Sequence, residues 1–196
     1  MSYLRRIYLS DPDDHTRLAS FDSLFKVPVF IDVGHHEIHE GDMYSVSVYD
    51  LVAAATDTVE VFILTPAVSS PQKGIHMLSN YESSGAHEYL ITEGCTYSSA
   101  GAAYVPKNRN RGSTKTTSAQ SVYVGGDDQT GGNIVVTGGT ALWADGGGAG
   151  RTEGGGDRSA HEWVLAPATG YLFTMTSGAT STAISLELTF YEHTDE

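Results

Sequence analysis

The stretch Ile184-Ser-Leu-Glu-Leu-Thr-Phe190 alternates apolar and polar residues without interruption. In an extended chain, successive side chains point to opposite faces. The apolar members therefore share one face: Ile184, Leu186, Leu188 and Phe190. This period of two predicts a β-strand with one buried and one solvated face.

Similar segments recur along the chain, and no convincing amphipathic helix lies between them. The short run Leu51–Ala55 is the one helix candidate after the N-terminal thirty residues. Pro28 places the first predicted strand at an edge or at a strand start, and we expect about eight strands. The segments with strand character are Val27–Ile31, Met43–Tyr49, Val59–Leu64, His87–Thr92, Ser121–Val124, Asn133–Thr137, Glu162–Leu165, Tyr171–Met175 and Ile184–Phe190.

An isolated hairpin is marginally stable, so sheets of this kind must cover each other. The sequence therefore predicts an all-β protein, a two-sheet antiparallel sandwich of the jelly-roll type. Residues 1–30 differ in composition and are predicted to form an N-terminal arm, with residues 31–196 as a single sandwich domain. Two polar or glycine-rich segments, 106–118 and 145–156, are predicted to be long exposed loops.

Composition excludes some function classes. The chain has 196 residues and a formal net charge of -13, which repels nucleic acid and anionic membranes. Cys95 is the only cysteine, so an intramolecular disulfide is impossible, and we expect it to be a small buried apolar residue. The start of the sequence lacks the pattern of a signal peptide, and no stretch is long enough to span a bilayer. These features predict production in a cytoplasm, with no nucleic-acid or membrane partner.

The histidine-rich segment His35-His-Glu-Ile-His-Glu40 has two interpretations. On a strand, His35, Glu37 and His39 would share a face that could hold a metal ion. The favoured interpretation is a polar edge leading into a turn at Gly41, because no open ligand position or supporting residues are visible. We predict no metal site and no cofactor. Asp127-Asp128, between two Gly-Gly pairs, is predicted to be a hairpin tip.

Two segments are candidate contact sites. Asn108-Arg-Asn-Arg111 is the densest basic spot, and its arginines either are solvated or bind a carboxylate of a neighbouring subunit. The N-terminal arm either packs on its own domain or binds a partner. Its candidate contact residues are Leu4, Arg5, Arg6 and Tyr8.

Several motifs in order resemble a known group of proteins. The set comprises His39-Glu-Gly41 before the strand Met43–Tyr49, Tyr89 to Glu93-Gly94, Asn108 to Arg111 before a Ser/Thr run, Glu162-Trp163 before Pro167 and Tyr171, and Phe190-Tyr-Glu192. It resembles the small β-sandwich proteins that tailed bacteriophages encode beside the major capsid protein, the capsid decoration or cement proteins. The resemblance covers residues 31 to 192.

The resemblance implies a structural role and no catalytic residues. Decoration proteins typically form homotrimers on the capsid exterior and bridge neighbouring capsomers, with the major capsid protein as partner. Such a protein is made in the host cytoplasm and needs no secretion signal, because lysis releases it. An acidic β-sandwich whose sequence shows no catalytic motif fits that role.

Two alternatives remain open at the level of sequence. The first is a carbohydrate- or receptor-binding head fibre, using exposed tyrosines as platforms for sugar rings. The tyrosines concerned are Tyr81, Tyr97, Tyr104 and Tyr123. The second is an enzyme of the metal-dependent jelly-roll type, with His35, His36 and His39 as ligands.

Overall fold

The structure is a computed structural model, and it describes residues 8–10, 16–18, 20–21, 28–29, 33–69, 72–148 and 162–195. The chain divides into two compact units, Met1–His36 and Glu37–Glu196. In the first unit, β1 (Tyr8–Ser10) pairs antiparallel with β2 (Thr16–Leu18), and β3 (Ser20–Phe21) pairs with β4 (Pro28–Val29). Within the strand predicted at Val27–Ile31, the described residues Pro28 and Val29 form β4, which pairs with β3. The other three residues lie outside the described part of the chain.

A helix of eight residues, α1 (Val33–Glu40), takes the place of the extended segment expected around His35. It ends at Gly41, whose φ of 78° is left-handed. The amide of Gly41 donates to the carbonyl of Ile38, and that of Asp42 donates to the carbonyl of Glu37. This pair of bonds is the Schellman motif, which favours glycine because it has no Cβ. The predicted turn at Gly41 is confirmed. No described helix is long and apolar enough to cross a lipid bilayer.

Two antiparallel sheets make up the second unit. Their strands are β5 (Met43–Ala53), β6 (Thr58–Leu64), β7 (Gln72–Ser83), β8 (His87–Ser99), β9 (Ala102–Ala103), β10 (Lys107–Asn108), β11 (Ser121–Gly126), β12 (Val135–Gly147), β13 (Glu162–Leu165), β14 (Gly170–Ser177) and β15 (Thr182–Asp195). The five-stranded sheet has the order β10-β5-β15-β7-β13, and the six-stranded sheet has the order β12-β8-β14-β6-β11-β9. The predicted all-β, two-sheet antiparallel sandwich is confirmed.

The strands from β5 to β8 alternate between the two sheets, as do those from β12 to β15, whereas β8 and β9 share one sheet, as do β11 and β12. Along the chain, β5, β7, β13 and β15 lie in the five-stranded sheet, and β6, β8 and β14 lie in the other. The turn at Pro167 therefore joins strands of different sheets rather than closing a hairpin. The jelly-roll topology stays a prediction.

Several local predictions are wrong. Leu51–Ala53 continues β5 instead of forming a helix, and β7 is a twelve-residue strand that the sequence did not reveal. Asp145–Gly147 belongs to β12 instead of a loop. Asp127 and Asp128 form a turn after β11, but they are not a hairpin tip, because β12 pairs with β8.

The core lies between the sheets, and the apolar residues that alternate along β15 are buried in it, as the sequence predicts. Ile184, Leu186, Leu188 and Phe190 are each at most 1% exposed, whereas Glu187 between them is exposed. Phe190 stacks on Tyr44 of β5, with ring centroids 5.6 Å apart. Fully burying each such side chain contributes about 1.5–3 kcal/mol, so the alternation of β15 is a large part of what stabilises the sandwich.

Candidate functional site

The basic segment predicted as a contact site lies on the edge of the five-stranded sheet. Its first residue, Asn108, belongs to β10, which pairs with β5 through Asn108 opposite Tyr44 and Lys107 opposite Ser45. The amide of Arg109 donates to the carbonyl of Met43 at 2.8 Å. The segment is therefore attached to the sheet at its start, and residues 109–118 form a mostly exposed loop, as expected within 106–118.

Asn108 is buried and uses its side-chain amide to fix the loop. Its Nδ2 donates to the carbonyls of Gly41 at 2.7 Å and Lys115 at 3.2 Å. Its Oδ1 accepts from the amide of Asn110 at 2.9 Å. Because both donors and an acceptor are satisfied within the chain, Asn108 supports the loop rather than offering its side chain to a partner. Asn110 also bonds inside the loop, accepting from the amide of Gly112 at 3.0 Å.

The far part of this loop is held by two acidic residues. Lys115 forms an ion pair with Asp42 at 2.7 Å, and the Asp42 carboxylate raises the pKa of Lys115. The buried carboxylate of Glu192, on β15, accepts from the hydroxyl of Thr117 and from the amide of Ser118. Residues 107–118 are thus tied to the sheet at both ends.

The two arginines of the segment remain exposed. The Arg111 Nη1 donates to the carbonyl of Asn108 at 3.3 Å, which leaves other donors of its guanidinium for solvent or a partner. The structure therefore separates the four predicted contact residues into two that build the loop, Asn108 and Asn110, and two that the loop presents, Arg109 and Arg111. We call residues 107–118 with these arginines the arginine loop.

A second surface contains two of the four tyrosines proposed as sugar platforms. Tyr97 of β8 is 41% exposed, and its hydroxyl lies 3.2 Å from the hydroxyl of Tyr123 of β11. This hydrogen bond raises the pKa of Tyr123. The ring of Phe62 packs edge-on against Tyr97, with centroids 5.3 Å apart. We call Tyr97 and Tyr123 the tyrosine pair.

Phe62 is the residue of this surface that sequence analysis missed. Its neighbours on β6, Val61 and Ile63, point into the main core. Because side chains alternate along a strand, Phe62 lies on the outer face of the sheet. There it forms a small apolar cluster with Leu172 and Cys95. The same alternation in the sequence was the signal available for finding it.

The other two tyrosines lie elsewhere, so the expectation of four exposed platforms is wrong. Tyr81 is half-buried, stacks on Tyr89 with centroids 4.3 Å apart, and donates its hydroxyl to Asp145. Tyr104 is half-buried against the main core, with the Lys107 ammonium 5.7 Å from its ring centroid.

An apolar corner lies at the end of β5. Tyr49 and Leu51 are 60% and 68% exposed. They line a cavity of about 320 Å³ together with polar residues that include Glu82 and Ser185. Exposed apolar groups that cluster in this way mark interaction surfaces more often than singly scattered ones do. No sequence pattern marks this corner, because the run Leu51–Ala55 is a helix candidate by composition, whereas Leu51–Ala53 continues β5.

The histidine segment does not have the geometry expected of a strand. Residues two apart on a helix differ by about 200° around its axis, so Glu37 of α1 does not share the face on which His35 and His39, four residues apart, lie. The arrangement considered for a metal site is therefore not formed.

The remaining predicted residues have separate positions. Leu4, Arg5 and Arg6 lie outside the described residues, and Tyr8 begins β1 without a described side chain. Cys95 is 2% exposed, and burial raises the pKa of its thiol. The prediction of a buried apolar cysteine is confirmed.

Comparison with known proteins identifies no relative: no family model, no curated protein and no solved structure matches this chain.

Proposed function

We propose that this chain is a virion structural protein that decorates the outside of a tailed-phage capsid and bridges its capsomers. In this proposal the subunit is a jelly roll, the oligomer is a homotrimer, and the partner is the major capsid protein. Two observations support the proposal. The order of the sequence motifs resembles that of decoration proteins, and hydrogen bonds hold the arginine loop on the surface of the sandwich.

The observation that carries the proposal is the arginine loop. Asn108 holds the loop through three hydrogen bonds, so Arg109 and Arg111 are presented on backbone that is already ordered. A pre-organised loop loses little conformational entropy when it binds. Arginine is enriched at protein interfaces and pairs with carboxylates in bidentate geometry. In a chain of net charge -13, this basic spot is complementary to the acidic surface of another copy.

The apolar corner at Tyr49 and Leu51 supports the same proposal as a second contact surface. A homotrimer repeats each surface three times around one axis. Once one contact to the shell has formed, the others bind at high effective concentration. Several individually weak contacts are therefore enough to hold a decoration protein on a capsid.

Co-sedimentation tests the proposal. The chain is mixed with empty shells assembled from the capsid protein encoded beside it, and the bound fraction is measured after gradient centrifugation. We expect binding that saturates at a fixed ratio of trimers to capsomers. The variant with Arg109→Glu and Arg111→Glu should bind at least about tenfold more weakly or sediment as a monomer. The control Glu88→Lys reverses an exposed charge on β8 and should bind normally. Shells that remain bare at every concentration would refute decoration.

Carbohydrate or receptor binding is the second candidate, and the tyrosine pair favours it. Two aromatic rings, with centroids 5.0 Å apart and adjacent hydroxyls, offer both an apolar face and polar groups to a sugar. A glycan array with the wild-type chain, Tyr97→Ala and Tyr123→Ala tests it, with Tyr49→Ala as the exposed-tyrosine control. Glycan binding that both pair variants lose and the control keeps would support this candidate. The absence of any glycan signal would eliminate it.

A further inference from the structure

The cavity at the apolar corner is built from a row of residues that crosses three strands. Tyr49 of β5 lies opposite Ser185 of β15, and Ser185 lies opposite Glu82 of β7. Neighbouring strands are about 4.8 Å apart, so the backbones of Tyr49 and Glu82 are about 9.6 Å apart. The small side chain of Ser185 between them leaves the cavity of about 320 Å³ open on the outer face of the sheet.

The two sides of this cavity differ in chemistry. Tyr49 and Leu51, which are 60% and 68% exposed, form an apolar side. On the opposite side, Glu82 is exposed and forms no ion pair with a described lysine or arginine. A guanidinium group suits both sides, because its plane stacks on an aromatic ring and its N–H groups bind a carboxylate. The aliphatic part of an arginine side chain also packs on a leucine.

The cations available for such a contact lie together on the arginine loop. Lys73 forms an ion pair with Glu192, and Lys115 forms one with Asp42. The other lysine and arginine side chains that the structure describes are exposed, have no carboxylate partner among the described residues, and belong to this loop: Lys107, Arg109 and Arg111. The charge of the loop is therefore complementary to that of Glu82 in the cavity.

The arginine loop cannot fill the cavity of its own copy. The amide of Arg109 is bonded to the carbonyl of Met43 at the start of β5, whereas the cavity begins at Tyr49. These six positions of extended strand span about 20 Å, which is well beyond the length of an arginine side chain. An arginine of this loop in the cavity must therefore come from a second copy.

We propose that the arginine loop of one copy docks in the cavity at the apolar corner of the next copy. A guanidinium of Arg109 or Arg111 lies between the Tyr49 ring and the Glu82 carboxylate. The contact joins two different surfaces, so its repetition produces a head-to-tail ring. The number of three copies in that ring rests on the proposed function. Docking also covers Leu51, which is exposed in the single chain.

Sedimentation velocity of the full-length chain, without capsid protein, tests this contact separately from decoration. We expect the wild type to form a trimer at micromolar concentration. The loop variant, Arg109→Glu with Arg111→Glu, and the cavity variant, Glu82→Arg, each bring like charges together. Each should weaken self-association at least about tenfold. The combined variant with all three changes has opposite charges in every contact again, so it should regain most of the lost affinity.

Two further variants separate the contact from general effects of charge. Tyr49→Ala removes the ring without changing charge and should also weaken self-association at least about tenfold. Glu88→Arg reverses an exposed charge on β8, in the other sheet, and should associate like the wild type. Circular dichroism checks that each variant is folded.

A wild-type chain that stays monomeric would overturn the proposed contact, and so would a combined variant that associates more weakly than the loop and cavity variants. Bare capsid shells together with an intact trimer would refute decoration alone and leave this contact standing.

Discussion

Asn108 and Gly41 lie 67 positions apart in the chain, and a hydrogen bond of 2.7 Å joins the Asn108 Nδ2 to the Gly41 carbonyl. This bond ties the end of α1 to the start of the arginine loop. The position of Arg109 and Arg111 on the surface therefore depends on a turn that is remote in sequence. The hydrogen bond therefore links the turn at Gly41 to the proposed contact surface on the arginine loop.

Replacing Asn108 with alanine should destabilise the second unit by about 1–3 kcal/mol, because the carbonyls of Gly41 and Lys115 and the amide of Asn110 lose their partner. Urea unfolding measures the change. Thr114→Ala, at an exposed position of the same loop, should stay within about 0.5 kcal/mol of the wild type. Equal stabilities for the two variants would mean that Asn108 does not hold the loop.

Gly41→Ala should destabilise the protein by about 1–2 kcal/mol from backbone strain alone, because φ is 78° at this position. The added methyl group would also overlap the side chain of Ser113, so the arginine loop must shift. Gly112→Ala is the matched control, since its methyl group meets only Asn110 Oδ1 at 3.4 Å. Thermal unfolding distinguishes the variants, and a stable Gly41→Ala would contradict the turn geometry.

Glu60 should make stability depend on pH. Its Oε2 accepts from the amide of Ile134 at 2.7 Å, and burial raises the pKa of Glu60 above the usual 4.5, with the charge of Asp127 adding to the effect. As pH rises from 4.5 through the raised value, the unfolded chain binds fewer protons than the folded protein, so this residue lowers stability.

Glu60→Gln keeps an oxygen for Ile134 and removes the titration. Relative to the wild type, the variant should therefore gain stability as the pH rises from 4 to 8. Urea unfolding across this range, with Glu187→Gln as the exposed control, measures the difference. A difference between Glu60→Gln and the wild type that is constant with pH would contradict a raised pKa.

The two faces of β15 should respond differently to mutation. Leu188 is fully buried, so Leu188→Ala should cost about 2–5 kcal/mol through lost burial and a cavity. Glu187, its neighbour, faces solvent, and Glu187→Ala should change stability by less than about 0.5 kcal/mol. Comparable losses at both positions in denaturant unfolding would mean that β15 is not half-buried.

The sequence predicted the strands whose buried face is apolar throughout. Ile184 to Phe190 alternates perfectly, and its register follows from that pattern. The strand β7 was not predicted, because Ser79 and Ser83 occupy positions on its buried face and interrupt the apolar alternation. The helix α1 was not predicted, because its eight mostly polar residues carry no amphipathic pattern. Only the turn at Gly41, directly after the helix, was predictable.

The candidate sites were less predictable because they depend on tertiary contacts. The close spacing of Arg109 and Arg111 in an acidic chain predicted a contact site. The supporting role of Asn108 was not predictable, because it depends on a contact with the distant Gly41. The meeting of Tyr97 with Tyr123 likewise requires the order of strands in the six-stranded sheet.

Cryo-electron microscopy of capsids tests the central claim most directly. Shells assembled from the neighbouring capsid protein are imaged with and without this chain. The proposal predicts added density on the outer surface that fits a trimer of two-sheet sandwiches spanning adjacent capsomers, with the arginine loop at a contact. Identical bare shells in both samples, with the chain left in the soluble fraction, would contradict it.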